Sequence, residues 1–140
     1  MAEPLFLSSM VAHQWQCDHF GHLNVRHYVA AFDDALFIMW KRIGLTVPAL
    51  GSPGVIPVTA EIKTSFASET VAGTIANVQG RVLRVGTKSV TFRLELREEG
   101  SGRLLASCEA VEVFFDMQAR VSSLIPDELR ASLLERAEPS

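Results

Sequence analysis

The chain has 140 residues, 48% of them hydrophobic, and a net charge of −3, which together predict one domain over residues 1–140. Interspersed charges and the lack of a long uncharged apolar span argue against nucleic acid and a membrane as partners. The two cysteines, Cys17 and Cys108, suit neither a disulfide framework nor a zinc knuckle, so we expect a reducing, cytoplasmic setting.

The first predicted elements are a short strand and a long helix. Residues 9–16 alternate loosely between apolar and polar side chains, which predicts the strand. The helix is predicted at residues 25–43. Asn24 precedes it and belongs to the residue types that cap helices by accepting a hydrogen bond from a first-turn amide. Gly44 suits the left-handed backbone conformation that often follows the last turn of a helix.

Apolar side chains cover most of the circumference of this helix, and Asp33 and Asp34 are its main interruptions. A helix with this pattern is normally buried on nearly all sides. We therefore expect the rest of the chain to wrap the helix. At least one of the two carboxylates is expected to face a buried surface, where it would need a partner.

The second half of the chain predicts the strands that would cover the helix. Four segments have strand patterns: 58–66, 70–79, 81–98 and 103–116. Alternation with a period of two is clearest over residues 90–96, and residues 98–102 suit a turn between two strands. Pro126 marks the start of a short amphipathic helix at about residues 126–137. This order of elements predicts an α+β fold with an antiparallel sheet curled around one helix.

The segment D-H-F-G-H-L-N-x-x-x-Y at residues 18–28 resembles the entry motif of the 4-hydroxybenzoyl-CoA thioesterase-like branch of the hotdog-fold thioesterases. That branch typically has D-x-x-G-H-V-N-N-x-x-Y, so Val25 departs from the pattern at the second asparagine. Segments 86–92 and 104–116 are similar to the central hairpin of the family. The resemblance covers about residues 9–120. It implies a hotdog fold, in which an antiparallel sheet of about five to six strands wraps one long central helix.

Hydrolysis of a thioester needs a carboxylate that activates water or attacks the carbonyl, and a donor for the oxyanion that forms. The N-terminus of a helix offers such donors, since its first amides are free and its dipole end is positive. The resemblance implies Asp18 as the catalytic general base or nucleophile and the backbone N–H of Val25 as the oxyanion donor. It also implies a set of substrate-binding residues: Gly21, His22, Asn24, Tyr28 and Asp33.

Structural roles are the alternatives to these assignments. Asp18 suits a turn, Asn24 a helix cap, and Tyr28 a core position with a hydrogen-bonded hydroxyl. Asp33 suits either an acyl pocket or a subunit interface. The identity of the acyl group stays open. The residues expected to shape its tunnel are Phe32, Phe37, Met39, Trp40 and the loop 44–57.

The resemblance further implies that Arg84, Lys88 and Arg120 hold the phosphates of coenzyme A. Solvated charge at the edges of strands is the alternative role for each of them. Coenzyme A is part of the substrate, so no cofactor is expected. No metal site is expected either, because the four histidines within residues 13–27 lack the spacing of a known metal motif.

Acyl-CoA thioesterase is therefore the leading functional prediction, with a free acid and coenzyme A as products. A hotdog dehydratase or hydratase is a second hypothesis, in which Asp33 or Asp34 would act with a histidine. A non-catalytic module that binds acyl-CoA or acyl-carrier protein is a third. Members of the family pair their sheets, so we expect a homodimer or homotetramer with active sites between subunits.

Overall fold

The computed structural model describes residues 3–45 and 54–139. Within these ranges the chain forms one antiparallel sheet, one long helix and one short helix. The bounds in chain order are β1 (Leu5–Val11), α1 (Val25–Ile43), β2 (Val55–Phe66), β3 (Ile75–Val85), β4 (Ser89–Glu98), β5 (Leu104–Asp116), β6 (Val121–Ser122) and α2 (Asp127–Arg136). The predicted α+β class is confirmed.

The described strands lie in the order β1-β3-β4-β5-β2, and the short β6 pairs with the end of β5. β1 and β2 are therefore the edges of the sheet. The inner face of the sheet packs against α1 and carries the predicted alternation. On β4 its members are each at most 1% exposed: Val90, Phe92, Leu94 and Leu96.

Both predicted ends of α1 are confirmed, since the helix begins directly after Asn24 and ends at Gly44, whose φ is 113°. The Asn24 side chain, however, forms no capping hydrogen bond, contrary to the prediction. The backbone of Asn24 serves instead. Its N–H donates to the Gln16 carbonyl at 3.0 Å, and its carbonyl accepts from the His27 N–H at 3.0 Å. Because this carbonyl already satisfies a first-turn donor, the cap does not need the side chain.

One side of α1 packs into the core and the other is exposed. The buried side comprises Tyr28, Phe32, Ala35, Leu36, Met39, Trp40 and Ile43. On the opposite side Val25 is 59% and Phe37 is 67% exposed, and both Asp33 and Asp34 are exposed. The prediction of a helix buried on nearly all sides is therefore wrong for the single chain, because one sheet covers only one side of a helix. The expectation that one of the two carboxylates is buried is wrong for the same reason.

The first predicted strand is misplaced, because β1 ends at Val11 and residues 14–16 form a single 3-10 turn. The Gln16 side-chain oxygen closes this turn by accepting a hydrogen bond from the His13 N–H at 2.9 Å. A side chain that bonds to its own local backbone competes with strand pairing.

The later strands lie close to the predictions, with differences at their ends. The predicted strand at 81–98 is divided by a turn in which the Gly86 N–H donates to the Ser89 carbonyl at 2.8 Å. The predicted strand at 70–79 begins only at Ile75, since its first residues contact the segment that leads into α1. The predicted turn between β4 and β5 is confirmed.

The predicted C-terminal helix is also confirmed. Pro126 stands at the N-cap of α2, and Leu129 and Leu133 pack into the core. Throughout residues 3–45 and 54–139, neither helix is long and apolar enough to cross a bilayer.

A polar cluster on the outer face of the sheet surrounds Glu95, which is 8% exposed. Burial acts to raise the pKa of this carboxyl. A hydrogen bond from Gln79 Nε2 at 3.0 Å and the charges of Arg97 and Arg93 outweigh that effect, so the pKa is lowered. The cluster links β3 to β4 on the side of the sheet away from α1.

Candidate active site

Asp18 lies in a tight turn that leads into α1. Its Oδ1 accepts two backbone hydrogen bonds, from the Phe20 N–H at 2.8 Å and from the His22 N–H at 3.2 Å. The Asp18 N–H donates to the His22 carbonyl at 2.9 Å, and the Gly21 N–H donates to the Asp18 carbonyl at 2.9 Å. Gly21 has a φ of +82°, a conformation that side chains rarely tolerate. The turn therefore fixes the position of the carboxylate.

The same contacts determine the ionisation of Asp18. The hydrogen bond from the His22 N–H is the largest effect and lowers the pKa; desolvation opposes it, and the hydrogen bond from the Phe20 N–H lowers the pKa further. Asp18 is half-exposed, and its Oδ2 has no hydrogen-bond partner in the described part of the chain. An ionised carboxylate with one free oxygen can take a proton from a water molecule.

The first turn of α1 supplies free donors next to this carboxylate's turn. Val25 and Arg26 are the first two residues of the helix, and their N–H groups donate to no acceptor among the described residues. The pairing of Cys17 with Leu23 places the Asp18 turn against the start of α1. A helix N-terminus with free amides attracts negative charge, so it suits a developing oxyanion.

A segment between β2 and β3, which sequence reasoning missed, braces the entry to α1. The Leu23 N–H donates to the Thr70 carbonyl at 2.8 Å, and the Ala72 N–H donates to the Gly21 carbonyl at 3.3 Å. The Tyr28 hydroxyl donates to Thr70 Oγ1 at 2.7 Å, and both side chains are buried. Tyr28 is thus a core residue with a satisfied hydroxyl, behind the Asp18 turn. No sequence signal marks Thr70, because its role depends on a tertiary contact.

The four histidines contact different groups. His13 stacks on Trp15, His19 packs on Phe20, His22 Nε2 lies 3.6 Å from Glu69 Oε2, and His27 meets the edge of Trp15. No three His, Cys, Asp or Glu side chains of the described ranges are grouped as a metal site requires. In the same ranges, no histidine forms a hydrogen bond or ion pair with Asp33 or Asp34, the pairing that the dehydratase hypothesis needs.

The three predicted coenzyme A cations lie at one end of the sheet. Arg84 is near the end of β3, Lys88 is in the β3–β4 turn and Arg120 is in the β5–β6 turn, and all three are exposed. β4 alone, with ten residues, spans roughly 30 Å at about 3.4 Å per residue. The single chain does not bring these cations to Asp18, which lies toward the other end.

Two contacts identify the end at which α1 begins. The Tyr28 ring meets the edge of Phe66, the last residue of β2, with the ring centres 5.0 Å apart. β2 starts at the opposite end, where Val55 pairs with Asp116. Besides Arg26 in the first turn of α1, the chain brings Arg103 toward the end at which α1 begins, where its guanidinium donates a hydrogen bond to the Glu69 carbonyl at 3.5 Å. Sequence reasoning missed Arg103.

A cavity of about 360 Å³ lies between the second half of α1 and the start of β2. Its walls are mostly apolar, and they include Leu36, Phe37, Trp40, Ile56 and Val58. Two carboxylates also line it: the exposed Asp33 on α1 and the buried Glu112 on β5. Asp33 lines this cavity, and its two predicted roles, in an acyl pocket or at a subunit interface, stay predictions.

The cavity meets part of the expectation for an acyl tunnel. Phe37 and Trp40 line it, whereas Phe32 and Met39 are fully buried in the core. Most of the predicted loop, residues 46–53, lies outside the described residues. Glu112 is not among the candidates from the sequence, although it is the most buried acid of the described chain at 3% exposure.

Comparison with known proteins gives the family. The sequence model of the thioesterase-like superfamily matches residues 11–133. No curated protein matches the chain significantly. The hypothetical protein SAV2348 of Staphylococcus aureus, solved in complex with CoA, has a TM-score of 0.84 and 17% identity, covering 100% of this chain and 90% of that chain.

Two further solved structures are similar. The PA5185 protein of Pseudomonas aeruginosa has a TM-score of 0.79 and 23% identity, with 99% of both chains covered. The 12:0-ACP thioesterase of Umbellularia californica has a TM-score of 0.78 and 14% identity, covering 95% of this chain and 50% of that chain. At such identities these likenesses establish the fold. The superfamily model spans most of the sequence, and the chain therefore belongs to the thioesterase-like superfamily.

Proposed function

We propose that the chain is an acyl-CoA thioesterase that hydrolyses its substrate to a free acid and coenzyme A. The observation that carries this proposal is the Asp18 turn, which holds a carboxylate of lowered pKa against the start of α1. Membership of the thioesterase-like superfamily supports it. The D-H-F-G-H-L-N motif favours the 4-hydroxybenzoyl-CoA thioesterase-like branch.

In the proposed reaction, Asp18 either activates a water molecule or attacks the thioester carbonyl itself. Negative charge then grows on the carbonyl oxygen, which accepts a hydrogen bond from the Val25 N–H. Collapse of this intermediate breaks the carbon–sulfur bond and releases coenzyme A. Gly21 lets the substrate approach the backbone, while His22 and Asn24 frame the same turn.

The proposed site combines two chains. β2 is a long edge strand with exposed apolar side chains, among them Ile62 at 37% and Phe66 at 50%. Such an edge is a template for pairing with another strand. If two β2 edges paired in antiparallel fashion about a twofold axis, the end of the sheet that carries Arg84, Lys88 and Arg120 in one chain would lie beside Asp18 of its partner. The partner would also cover the exposed side of α1, so that the fully wrapped helix of a hotdog fold arises in the dimer.

Coenzyme A is the proposed carrier because Arg84, Lys88 and Arg120 offer three exposed cations for its phosphates. The CoA complex of SAV2348 supports this choice. An acyl-carrier protein, as the name of the Umbellularia californica enzyme indicates, is the alternative carrier. We propose no cofactor beyond the substrate itself. The cytoplasmic setting stays a prediction, and the free thiols of Cys17 and Cys108 agree with it.

Release of free thiol from a panel of acyl-CoAs tests the proposal. Asp18→Asn keeps an oxygen that can accept both backbone hydrogen bonds but cannot act as a base. We expect it to lower kcat by about 100-fold or more with little change in KM. Asp127→Asn is the matched control, since Asp127 is an exposed carboxylate in the first turn of the other helix. Binding of acyl-CoA by the wild type without thiol release would favour the binding module, and full activity of Asp18→Asn would refute its role.

Light scattering tests the proposed dimer. We expect Ile62→Asp on the β2 edge to give monomers, because it places a charge in the pairing surface. Phe6→Asp on the opposite edge, where Phe6 is 56% exposed, is expected to leave the dimer intact. A monomeric wild type at micromolar concentration would contradict the dimer, and monomers from Phe6→Asp alone would assign the pairing to β1.

A further inference from the structure

Glu112 interrupts the apolar inner face of β5. The other members of this face are at most 1% exposed: Ala106, Cys108, Ala110 and Phe114. Glu112 stands in the same row, paired with the buried Val90 of β4, and is itself 3% exposed. A carboxyl group in an apolar row loses its hydration, so its two oxygens need partners.

Among the described residues, one oxygen of this carboxyl has a partner and the other has none. Trp40 Nε1 donates a hydrogen bond to Glu112 Oε1 at 2.9 Å. Glu112 Oε2 is buried and has no hydrogen-bond partner anywhere in residues 3–45 and 54–139. An orphaned buried acceptor is rare in a native protein, and a ligand that supplies the missing donor would account for it.

The backbone is irregular at the same position. Glu112 pairs with Thr59 of β2, and the register of the two strands shifts directly after this pair, between Thr59 and Glu61. Bulges of this kind re-aim side chains and are common next to active sites. Glu112, Thr59 and Trp40 all line the cavity between α1 and β2, whose volume of about 360 Å³ suits a small organic group.

We propose that Glu112 recognises a hydroxyl group at the far end of the substrate's acyl group. This inference rests on the proposed thioesterase function. The apolar walls of the cavity would hold the hydrocarbon part, and Glu112 Oε2 would meet its polar end. In the proposed dimer, the cavity of one chain would lie beside Asp18 of its partner.

A hydroxyl group fits the carboxyl better than an alkyl or a carboxylate end does. It can both donate and accept a hydrogen bond, so it pairs with Oε2 whether the carboxyl is ionised or protonated. An unsubstituted alkyl end would leave Oε2 orphaned. A carboxylate end would bring a second acid against Glu112 and Asp33, and like charges repel.

The test compares kcat/KM for pairs of acyl-CoAs of equal length, with and without a terminal hydroxyl group. We expect the wild type to prefer the hydroxylated member by about tenfold or more at the length that fits. Glu112→Leu should abolish this preference. Glu112→Gln should retain much of the preference. Its amide oxygen can still accept the hydrogen bond from Trp40, and its amide nitrogen can donate one to the substrate hydroxyl. Glu109→Leu is the matched control on the outer face of β5 and should leave the preference unchanged.

Thioether analogues of the same pairs, which cannot be hydrolysed, give the binding preference by calorimetry. Absence of thiol release together with a binding preference that Glu112→Leu abolishes would overturn the proposed function and leave recognition by Glu112 standing. Equal values for both members at every length would overturn the inference, as would a preference that survives Glu112→Leu. Thermal unfolding checks each variant, and Glu112→Gln decides the question if the leucine variant does not fold.

Discussion

Replacing Trp40 by phenylalanine removes the only donor to Glu112 among the described residues, and this exchange measures what the buried carboxyl contributes to stability. The indole is 4% exposed and makes T-shaped contacts with the rings of Phe92 and Phe114, whose centres are 4.9 and 5.4 Å away. A phenyl ring keeps most of this packing. The N–H group is lost, and the carboxyl is left buried with both oxygens unpaired.

The expected cost combines two effects. Removing the donor from a buried acceptor costs about 1–3 kcal/mol. Loss of two or three ring atoms costs about 2 kcal/mol at about 0.8 kcal/mol per buried CH₂. We therefore expect Trp40→Phe to lower the free energy of unfolding by about 4 kcal/mol.

Removing the acid alone should cost much less. Glu112→Leu breaks the same hydrogen bond and leaves the indole N–H unpaired, but it also ends the burial of a half-satisfied carboxyl, so we expect a change of about 1 kcal/mol or less. The double variant loses both polar partners together. It should therefore retain only the packing cost of about 2 kcal/mol, which gives a coupling energy of about 2–3 kcal/mol.

Denaturant titration followed by far-ultraviolet circular dichroism measures all four proteins at one fixed chain concentration, since association would shift apparent stability. Trp40→Phe combined with Glu109→Leu is the control pair and should be additive, because Glu109 lies on the outer face of β5. Additivity of the Trp40 and Glu112 variants within about 0.5 kcal/mol would refute the reasoning.

Three further expectations follow from buried polar groups. Tyr28→Phe should lower the free energy of unfolding by about 1–2 kcal/mol, and adding Thr70→Val should recover part of this loss, because no buried hydroxyl is then left unpaired; no recovery in denaturant titrations would contradict this. The lowered pKa of Glu95 means that its carboxylate stabilises the fold above the unperturbed pKa of 4.5 and that this contribution disappears as the pH falls through the folded-state pKa. As the pH falls below 4.5, the Tm of Glu95→Gln should therefore decrease less steeply than that of the wild type. Parallel plots of Tm against pH for the two proteins would contradict this expectation. Burial raises the pKa of Cys108 to about 11, so iodoacetamide at about pH 8 should label Cys17 first and Cys108 only after unfolding, as mass spectrometry of the labelled peptides would show.

The long helix and the turn before it could be predicted because their signals are local. Asn24 and Gly44 are residue types favoured at helix ends, and they stand where α1 begins and ends. The polar cluster from Asp18 to Tyr28 is conspicuous in a hydrophobic chain. A glycine with positive φ and a carboxylate that accepts nearby amides are both properties of a short segment. Such features need no knowledge of the rest of the fold.

The parts that could not be predicted depend on contacts between distant segments. Thr70 braces the entry turn only because the chain returns there after β2. Glu112 is buried rather than exposed because, along β5, it is one of the alternate residues whose side chains face the core. Counting every second residue back from Phe114 places Glu112 on the inner face, but this count is possible only when the inner face is identified. The exposure of one side of α1 could not be predicted, because an apolar pattern does not reveal how much of a helix a single sheet covers.

The Asp18 turn and the Glu112 cavity lie toward opposite ends of α1. From Val25 to Trp40 the helix advances 15 residues, or about 22 Å at 1.5 Å per residue, so a single chain separates the Asp18 turn from the Glu112 cavity. In the proposed dimer, a twofold axis through the β2 edge would reverse one chain against the other and bring the Asp18 turn of one chain beside the Glu112 cavity of its partner. Glu112 leaves the single chain with a buried oxygen that has no partner among the described residues, and in the proposed dimer this carboxyl and Asp18 would serve one site. If the dimer forms through another edge, Asp18 and the cavity stay apart, and a substrate that reaches both must then span about 22 Å.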